Sequence, residues 1–286
     1  MDTDKVSVII PVFNSGPELS KAIESVITQE YSHIELIVID GGSTDGTIDV
    51  LKKYQSYIHY CISERDEGIY DAMNKGASAA TGTWLLFLGA DDELCPKVIS
   101  DIFSSFSLVD TDLVYGKVII KNKRKQLGQQ TNYGKLIGLN IPHQAIFYRK
   151  SVFQKFSGYN QRYKILADYD LNLKIFEDSS IHKIYIDKTI SLFSGDGISK
   201  RTIDYAFFSE KKEYLINHCK VLRTDKRMAK YYFFIGVTLV LKQKYKVGAL
   251  SILHAIIFSK KRFYYFSLTV DFILGMVGIR KKYKYV

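Results

Sequence analysis

Apolar residues in the first half of the chain follow two alternating rhythms. In "KVSVIIPV" (Lys5 to Val12) and "IELIVID" (Ile34 to Asp40) nearly every position is apolar, with the length and β-branched content of buried strands. Between them, "PELSKAIESVITQ" sets Leu19, Ala22, Ile23, Val26 and Ile27 at the spacing of one helix face. The turn "GGSTDGT" follows the second strand, and Ser43 or Thr44 is the expected cap of a helix running to about Tyr54. "IHYCIS" (Ile58 to Ser63) reads as a third strand, "YDAMNKGASAA" as a helix ending near Gly82, and "TWLLFL" as a fourth strand. This alternation predicts an α/β fold with a mostly parallel central sheet flanked by helices on both faces.

Ligands of such sheets bind beyond the carboxyl ends of the strands. Asp40 closes the second strand, and Asp91 and Asp92 follow the fourth in "TWLLFLGADDEL", so carboxylates from separate strands are expected on one edge. Asp92 alone also fits a plainer reading, the first turn of a helix beginning near Pro96. "KNKRK" (Lys121 to Lys125) reads as a solvated hairpin turn. His33, His59, His182, His218 and His254 lack metal-ligand spacing. His143 differs in standing between an extended Pro-containing segment and an apolar run, in "IPHQAIFYRK"; whether it faces the site stays open.

With 286 residues, 47% of them hydrophobic, the chain can form one large domain, alone or with an appendage, and cannot be a disordered segment. Cys61, Cys95 and Cys219 are too few and too scattered for a disulfide framework or a structural zinc site, which favours a reducing cytoplasm. "MDTDKVSVIIPVF" carries acids where a secretory leader carries bases, so no signal peptide is expected. The net charge of +10 is uneven: residues 200–286 hold 19 Lys/Arg against 5 Asp/Glu, and residues 1–199 hold 21 against 25. Three apolar stretches lie in this basic tail, Tyr231 to Leu241, Val247 to Phe258 and Phe263 to Val277. Each is shorter than the ~20 residues a spanning helix needs. Flanked by Lys, Arg and Tyr, they suit either the surface of an anionic leaflet or packing against protein, including a second subunit.

Taken in order, "VSVIIPVFN", "IELIVIDGGSTDGT", "DEGIYDAMNKG", "FLGADDEL", "HQAIFYRK" and "ILADYDLNLKIF" resemble the family 2 glycosyltransferases. These are inverting enzymes of the GT-A nucleotide-diphospho-sugar transferase fold. The nearest flavour is the bacterial branch that builds capsule, exopolysaccharide and O-antigen units. The resemblance covers about Lys5 to Phe176. It implies a GT-A catalytic domain over residues 1–200, with a nucleotide-sugar half at 1–95 and an acceptor half at 96–200, followed by a helical extension at 201–286.

In similar enzymes the loop after the first strand and the acid ending the second hold the nucleotide base, which here means Pro11, Val12, Phe13, Asn14 and Asp40. A carboxylate suits a uracil N–H donor. Asp45 also matches a family acid, and equally a helix N-terminal acid. Asp66, Asn74 and Lys75 fall where the family approaches ribose and diphosphate; many relatives carry an arginine where this chain has Met73. The metal motif departs from its common form, because Gly89 stands where the first acid is expected. That leaves Asp91 and Asp92 for a divalent cation, Mn²⁺ or Mg²⁺, with Asp91 also placed to meet the nucleotide. Asp168 aligns with the family's catalytic acid and is the expected general base, with His143, Gln144 and Asp170 on the acceptor side.

The implied partners are a nucleotide-diphosphate sugar, expected to be UDP-linked, a lipid-linked saccharide acceptor and an anionic membrane surface, without nucleic acid. The implied location is cytoplasmic, peripheral at the inner face of the cell membrane. Two rivals remain. A sugar nucleotidyltransferase would want a basic, Gly-rich phosphate loop where "PVFNSGPE" has no basic residue, and a catalytically inactive membrane-associated scaffold has Gly89 as its hint. An NAD-dependent oxidoreductase would want G-x-G-x-x-G at the same turn, which is missing.

Overall fold

Seven consecutive buried residues form β1 (Val6–Val12) at the centre of the sheet of a computed structural model that describes residues 4–137, 139–195, 204–218 and 221–276. After it come α1 (Gly16–Ile27), β2 (Ile34–Asp40), α2 (Thr47–Lys53), β3 (Tyr60–Ser63), α3 (Ile69–Ala79) and β4 (Trp84–Phe87), in the order the apolar rhythm predicts. β1 pairs in parallel with β2 and β4, and β2 with β3. Pro11 is tolerated in this central strand for a simple reason. Ile9 O accepts from Leu88 N, so position 11, two residues on, faces the same side, where β4 has already ended and no donor is needed.

The second half departs from strict alternation. It contains β5 (Glu93–Leu94), α4 (Val98–Phe103), β6 (Leu113–Ile120), β7 (Lys125–Leu127), α5 (Tyr133–Leu136), β8 (Ile146–Arg149), α6 (Lys150–Lys155), α7 (Ala167–Glu177) and β9 (Lys183–Phe193). The sheet order is β3-β2-β1-β4-β8-β6-β9-β5, with β7 on β6. β8 runs antiparallel to both β4 and β6, so the sheet is parallel in its first half and mixed in its second.

Three local expectations change. Neither Ser43 nor Thr44 caps α2: Asp45 Oδ1 accepts from Thr47 N at 2.9 Å, while Ser43 turns back to Asp40. Asp92 is not in a helix, since α4 begins only at Val98. The basic run does form the β6–β7 hairpin, with Ile120 opposite Lys125, but Lys121 folds inward and its Nζ donates to Asp91 O and to Glu93 Oε1.

The amino ends of the strands are tied by a buried acid. Glu35 interrupts the apolar run of β2, and its carboxylate accepts from Ser7 Oγ (2.6 Å), Thr81 N (2.8 Å), Thr81 Oγ1 (2.6 Å) and Lys5 Nζ (3.2 Å). Burial pushes this carboxyl up, yet the donors outweigh it and hold the pKa at about 2. Aromatic packing fills the centre: Phe87 meets Tyr148, Phe153 and Tyr159 with ring centroids 5.0–6.1 Å apart.

Contacts divide the chain into two units, Met1–Tyr133 with Asn140–Gly195, and Gly134–Leu139 with Asp196–Val286. The second unit carries α8 (Tyr205–Asn217), α9 (Ala229–Leu241), α10 (Tyr245–Phe258) and α11 (Arg262–Met276). α9 and α10 approach closely through glycines: a Cβ on Gly236 would stand 2.8 Å from Gly248 O, and one on Gly248 would stand 2.8 Å from Gly236 O. Ala229, Phe233, Val237, Ile252 and Ala255 form the core of this pair, and Tyr265, Leu268 and Phe272 of α11 pack on it. Among the described residues, no helix is long and apolar enough to cross a membrane.

Glu35→Gln should destabilise the protein by about 2 kcal/mol at neutral pH, because a charge-assisted acceptor is lost among its donors. A depressed carboxyl pKa stabilises the fold above the unfolded value of about 4.3 and loses that effect as pH falls towards the folded one. Urea unfolding from pH 7 to pH 2 should therefore show the gap between wild type and variant constant above about pH 5 and closing below it.

Candidate active site

Parallel pairing of β2, β1 and β4 puts their carboxyl ends on one edge, and the expected acids meet there. Asp40 ends β2 fully buried, its Oδ1 accepting from Ser43 Oγ and its Oδ2 from Ser63 Oγ, each at 2.5 Å. Pro11 and Val12 are buried at the end of β1, whereas Phe13 is 60% exposed beside them. Asn14 binds the two loops together, its N donating to Ser43 Oγ and its Oδ1 accepting from Thr44 N. Asp66 closes this side: its Oδ2 lies 2.5 Å from where a Cβ on Gly41 would stand, so only the bare glycine admits it.

Beyond β4 stand Asp91 and Asp92. Asp92 is 1% exposed, and both its oxygens are occupied: Oδ1 accepts from Ser194 N at 2.9 Å and Oδ2 from Gln144 Nε2 at 2.6 Å. Burial, with the adjacent charge of Asp91, raises its pKa. Asp91 is half-buried, with Oδ2 accepting from Ser194 Oγ. Its Oδ1 faces Gly89, where a Cβ would stand 3.0 Å from it and 2.6 Å from Asp92 Oδ2. The missing side chain at 89 thus leaves a small cradle beside two carboxylate oxygens. This donor set fits a divalent cation that takes one or two oxygens from protein and the rest from a phosphorylated ligand. Among the described residues, no three His, Cys, Asp or Glu gather into a closed metal site.

The turn His143–Ala145 joins this pair to Asp168. Gln144 donates to Asp92, while His143 Nδ1 lies 3.6 Å from Asp168 Oδ2. Among the described residues, the buried Nε2 atom of His143 has no hydrogen-bond partner. Asp168, in the first turn of α7, is oriented by a relay of hydrogen bonds from the core. Tyr148 Oη donates to Asn172 Oδ1 (2.9 Å), Asn172 Nδ2 to Asn140 Oδ1 (2.9 Å), and Asn140 Nδ2 to Asp168 Oδ2 (2.9 Å). Burial, with the charge of Asp168, pushes the Tyr148 phenol far up, so the relay begins at a hydroxyl that keeps its proton to donate. Every amide then points its donor onwards, and the last acceptor is a carboxylate. Tyr70 Oη lies 3.0 Å from Asp168 Oδ1 and 2.6 Å from Ile165 O.

Three expected residues have other attachments. Asn74 pairs with the Tyr159 backbone, donating to its O at 2.8 Å and accepting from its N at 2.9 Å. Lys75 Nζ is neutralised by Glu64 Oε1 (2.8 Å) and Asp71 Oδ2 (3.1 Å). Asp170 is buried against Lys174 Nζ at 2.8 Å, one turn along α7. Asp45, placed between two readings, behaves as a loop and helix acid, bonded to Thr47 and Gly16 N. Conversely, Ser194, Ser63, Tyr70, Asn140 and Asn172 belong to the site without having been singled out. Tyr70 sits inside "DEGIYDAMNKG" and Asn140 three residues before His143, which are faint signals; Ser194 has none, lying about a hundred residues from its carboxylates.

Residues 7–184 match the model of the family described as glycosyl transferase family 2. A PGL/p-HBAD biosynthesis glycosyltransferase of Mycobacterium bovis is 36% identical over 208 residues, 70% of this chain and 81% of its own length. Among solved structures, residues 1–349 of S. aureus TarS in complex with UDP-GlcNAc superpose with a TM-score of 0.66 at 18% identity, covering 89% of this chain and 80% of that one. This chain spans 50% of a longer TarS structure. The mannosyltransferase PcManGT of Pyrobaculum calidifontis, in complex with GDP-Man and Mn²⁺, gives 0.54 at 13% identity, covering 98% and 82%. At these identities the structural likeness is one of fold.

If the relay acts as a unit, Tyr148→Phe and Asn140→Ala should each cost about 1–2 kcal/mol of stability. Their combined cost should fall short of the sum by about 0.5 kcal/mol or more, which a double-mutant cycle by urea unfolding measures.

Proposed function

The chain belongs to glycosyl transferase family 2, and we propose that it moves a sugar from a nucleotide-diphosphate donor, UDP-linked, to a lipid-linked saccharide with inversion at the transferred carbon. The observation that carries this reading is that Asp40 ends β2 and Asp91 follows β4, the two strands flanking β1, and that the His143–Ala145 turn joins the Asp91–Asp92 pair to Asp168. Asp40, fully buried with both oxygens bonded to Ser43 and Ser63, orders the loop beside exposed Phe13, whose ring suits the face of a base. TarS, of like fold, has been crystallised with UDP-GlcNAc, which supports a nucleotide sugar as donor.

Asp168 is the general base. The relay from Tyr148 ends on its Oδ2 and so fixes its orientation, and His143 stands beside the same carboxylate. As the acceptor oxygen bonds to the anomeric carbon, its proton passes to Asp168, and the electron pair of the breaking C–O bond leaves with the nucleoside diphosphate. Attack from the face opposite the leaving group inverts the centre.

Asp91 would hold a divalent cation, since its Oδ1 opens onto the cradle at Gly89, while Asp92 is committed to Gln144 and Ser194 and serves to fix the loop. Such a cation, when bound, neutralises charge on the departing diphosphate. PcManGT, of like fold, has been crystallised with Mn²⁺. The lipid-linked acceptor, the bacterial surface-polysaccharide role and a peripheral position at the inner face of the membrane are drawn from the motif resemblance and from the basic tail.

A screen of nucleotide-diphosphate sugars, with a lipid-pyrophosphate-linked sugar as acceptor and nucleoside diphosphate release as readout, tests the reaction. Turnover only with a nucleoside triphosphate would point to nucleotidyl transfer, and no turnover to a scaffold. Asp168→Asn should lower kcat about 10²–10⁴-fold with little change in donor KM. Asp170→Asn should act mainly on stability. Asp91→Ala should weaken Mn²⁺ binding in the presence of UDP, read by calorimetry.

A further inference from the structure

Helices α10 and α11 are apolar on two opposite faces, and only one of them is covered. On α10, Ile252 and Ala255 enter the core with α9, while Val247, Leu250, Leu253 and Ile257 form an exposed stripe on the far side. On α11, Tyr265, Leu268 and Phe272 pack inward, while Phe263, Phe266, Val270 and Ile273 face out. Leu250 is 59% exposed and Phe263 78%. Continuous apolar stripes on two successive helices exceed the scattered exposure that ordinary surfaces show.

The rim of these stripes is basic. Lys242, Lys244 and Lys246 stand at the start of α10, and Lys260, Lys261 and Arg262 at the turn between α10 and α11, all exposed. Among the described residues none of the six makes an ion pair. Residues 226–270 contain nine Lys/Arg and no Asp or Glu; Asp225, just before them, pairs with Arg227 and not with the six cations of the rim. A covering partner must therefore offer apolar depth and negative charge together. A second copy of this face would bring like charges into contact, and a nucleic acid would leave the aliphatic stripe wet.

We infer that the outward faces of α10 and α11 dock onto an acidic phospholipid leaflet, with Val247, Leu250, Leu253, Ile257, Phe263 and Phe266 entering the acyl boundary and the basic ends meeting the headgroups. This gives the membrane reading of the tail a defined surface. Docking is measured without donor or acceptor, so its outcome is separate from that of the transfer assay.

Flotation of the full chain with vesicles of phosphatidylcholine alone, or mixed with phosphatidylglycerol, tests the inference. Retention on the mixed vesicles is expected, weakening as sodium chloride rises. The double substitution Leu250→Ser and Phe266→Ser should lower partitioning about tenfold or more with the thermal midpoint unchanged, since both side chains face outward. Lys260→Gln with Lys261→Gln should flatten the salt dependence; should the serine variant unfold, this pair and the vesicle comparison decide. Equal retention on both vesicle types, or none on either, overturns the inference. A concentration-dependent dimer dissociated by the serine pair, without flotation, also overturns it and gives the face to a second copy.

Discussion

Two adjacent carboxylates at the buried end of a strand repel each other, and the surroundings of Asp91 and Asp92 are built to hold them there. Desolvation and the charge of Asp91 push the pKa of Asp92 up. The structure divides the roles of the two acids. Asp92 goes inward, where Ser194 N and Gln144 Nε2 each donate to one of its oxygens, and Asp91 is left half in solvent with one oxygen on Ser194 Oγ. Because Ser194 follows β9 and Gln144 precedes β8, the acids after β4 fasten three parts of the sheet together. Gly89 completes this arrangement, since any side chain there would collide with both carboxylates.

The same turn that secures Asp92 carries His143 to Asp168, so the two acidic halves of the site share one support. Asp168 is oriented from the other direction by Tyr148, Asn172 and Asn140, a polar thread through an otherwise aromatic core. Buried polar groups are costly unless fully paired. Here the pairing has a direction, from a phenol that stays protonated to the Oδ2 atom of Asp168. Rigidity of the core is thereby converted into a defined orientation of Asp168 at the edge of the sheet.

The helical unit follows a different logic. Its tight seam at Gly236 and Gly248 buries one face of α10 and leaves the other apolar, an unusual outcome for helices flanked by lysines that make no ion pair among the described residues. The other unit forms ion pairs within itself, such as Lys5 with Glu35 and Lys121 with Glu93. The contrast separates a unit organised around an interior site from one organised around a surface.

Much of the fold was legible in the sequence because its signals are local. Strand and helix rhythms depend on neighbours within a few residues, and the acids Asp40, Asp91 and Asp92 stood out by ending apolar runs. The motifs likewise pointed to Asp168. What remained hidden depends on contacts across the chain. Ser194 reaches Asp92 over a hundred residues, and Asn140 and Asn172 look like ordinary polar residues until the sheet brings them together. Asn74, Lys75 and Asp170 carried the right chemistry at plausible positions, yet the folded chain engages them with Tyr159, Glu64 with Asp71, and Lys174. Sequence order determined which groups arrive at the edge of the sheet, because parallel strands deliver their carboxyl ends there. Only tertiary packing decided which of those groups keep a free lone pair, because hydrogen-bond partners are assigned by distance in space and not along the chain.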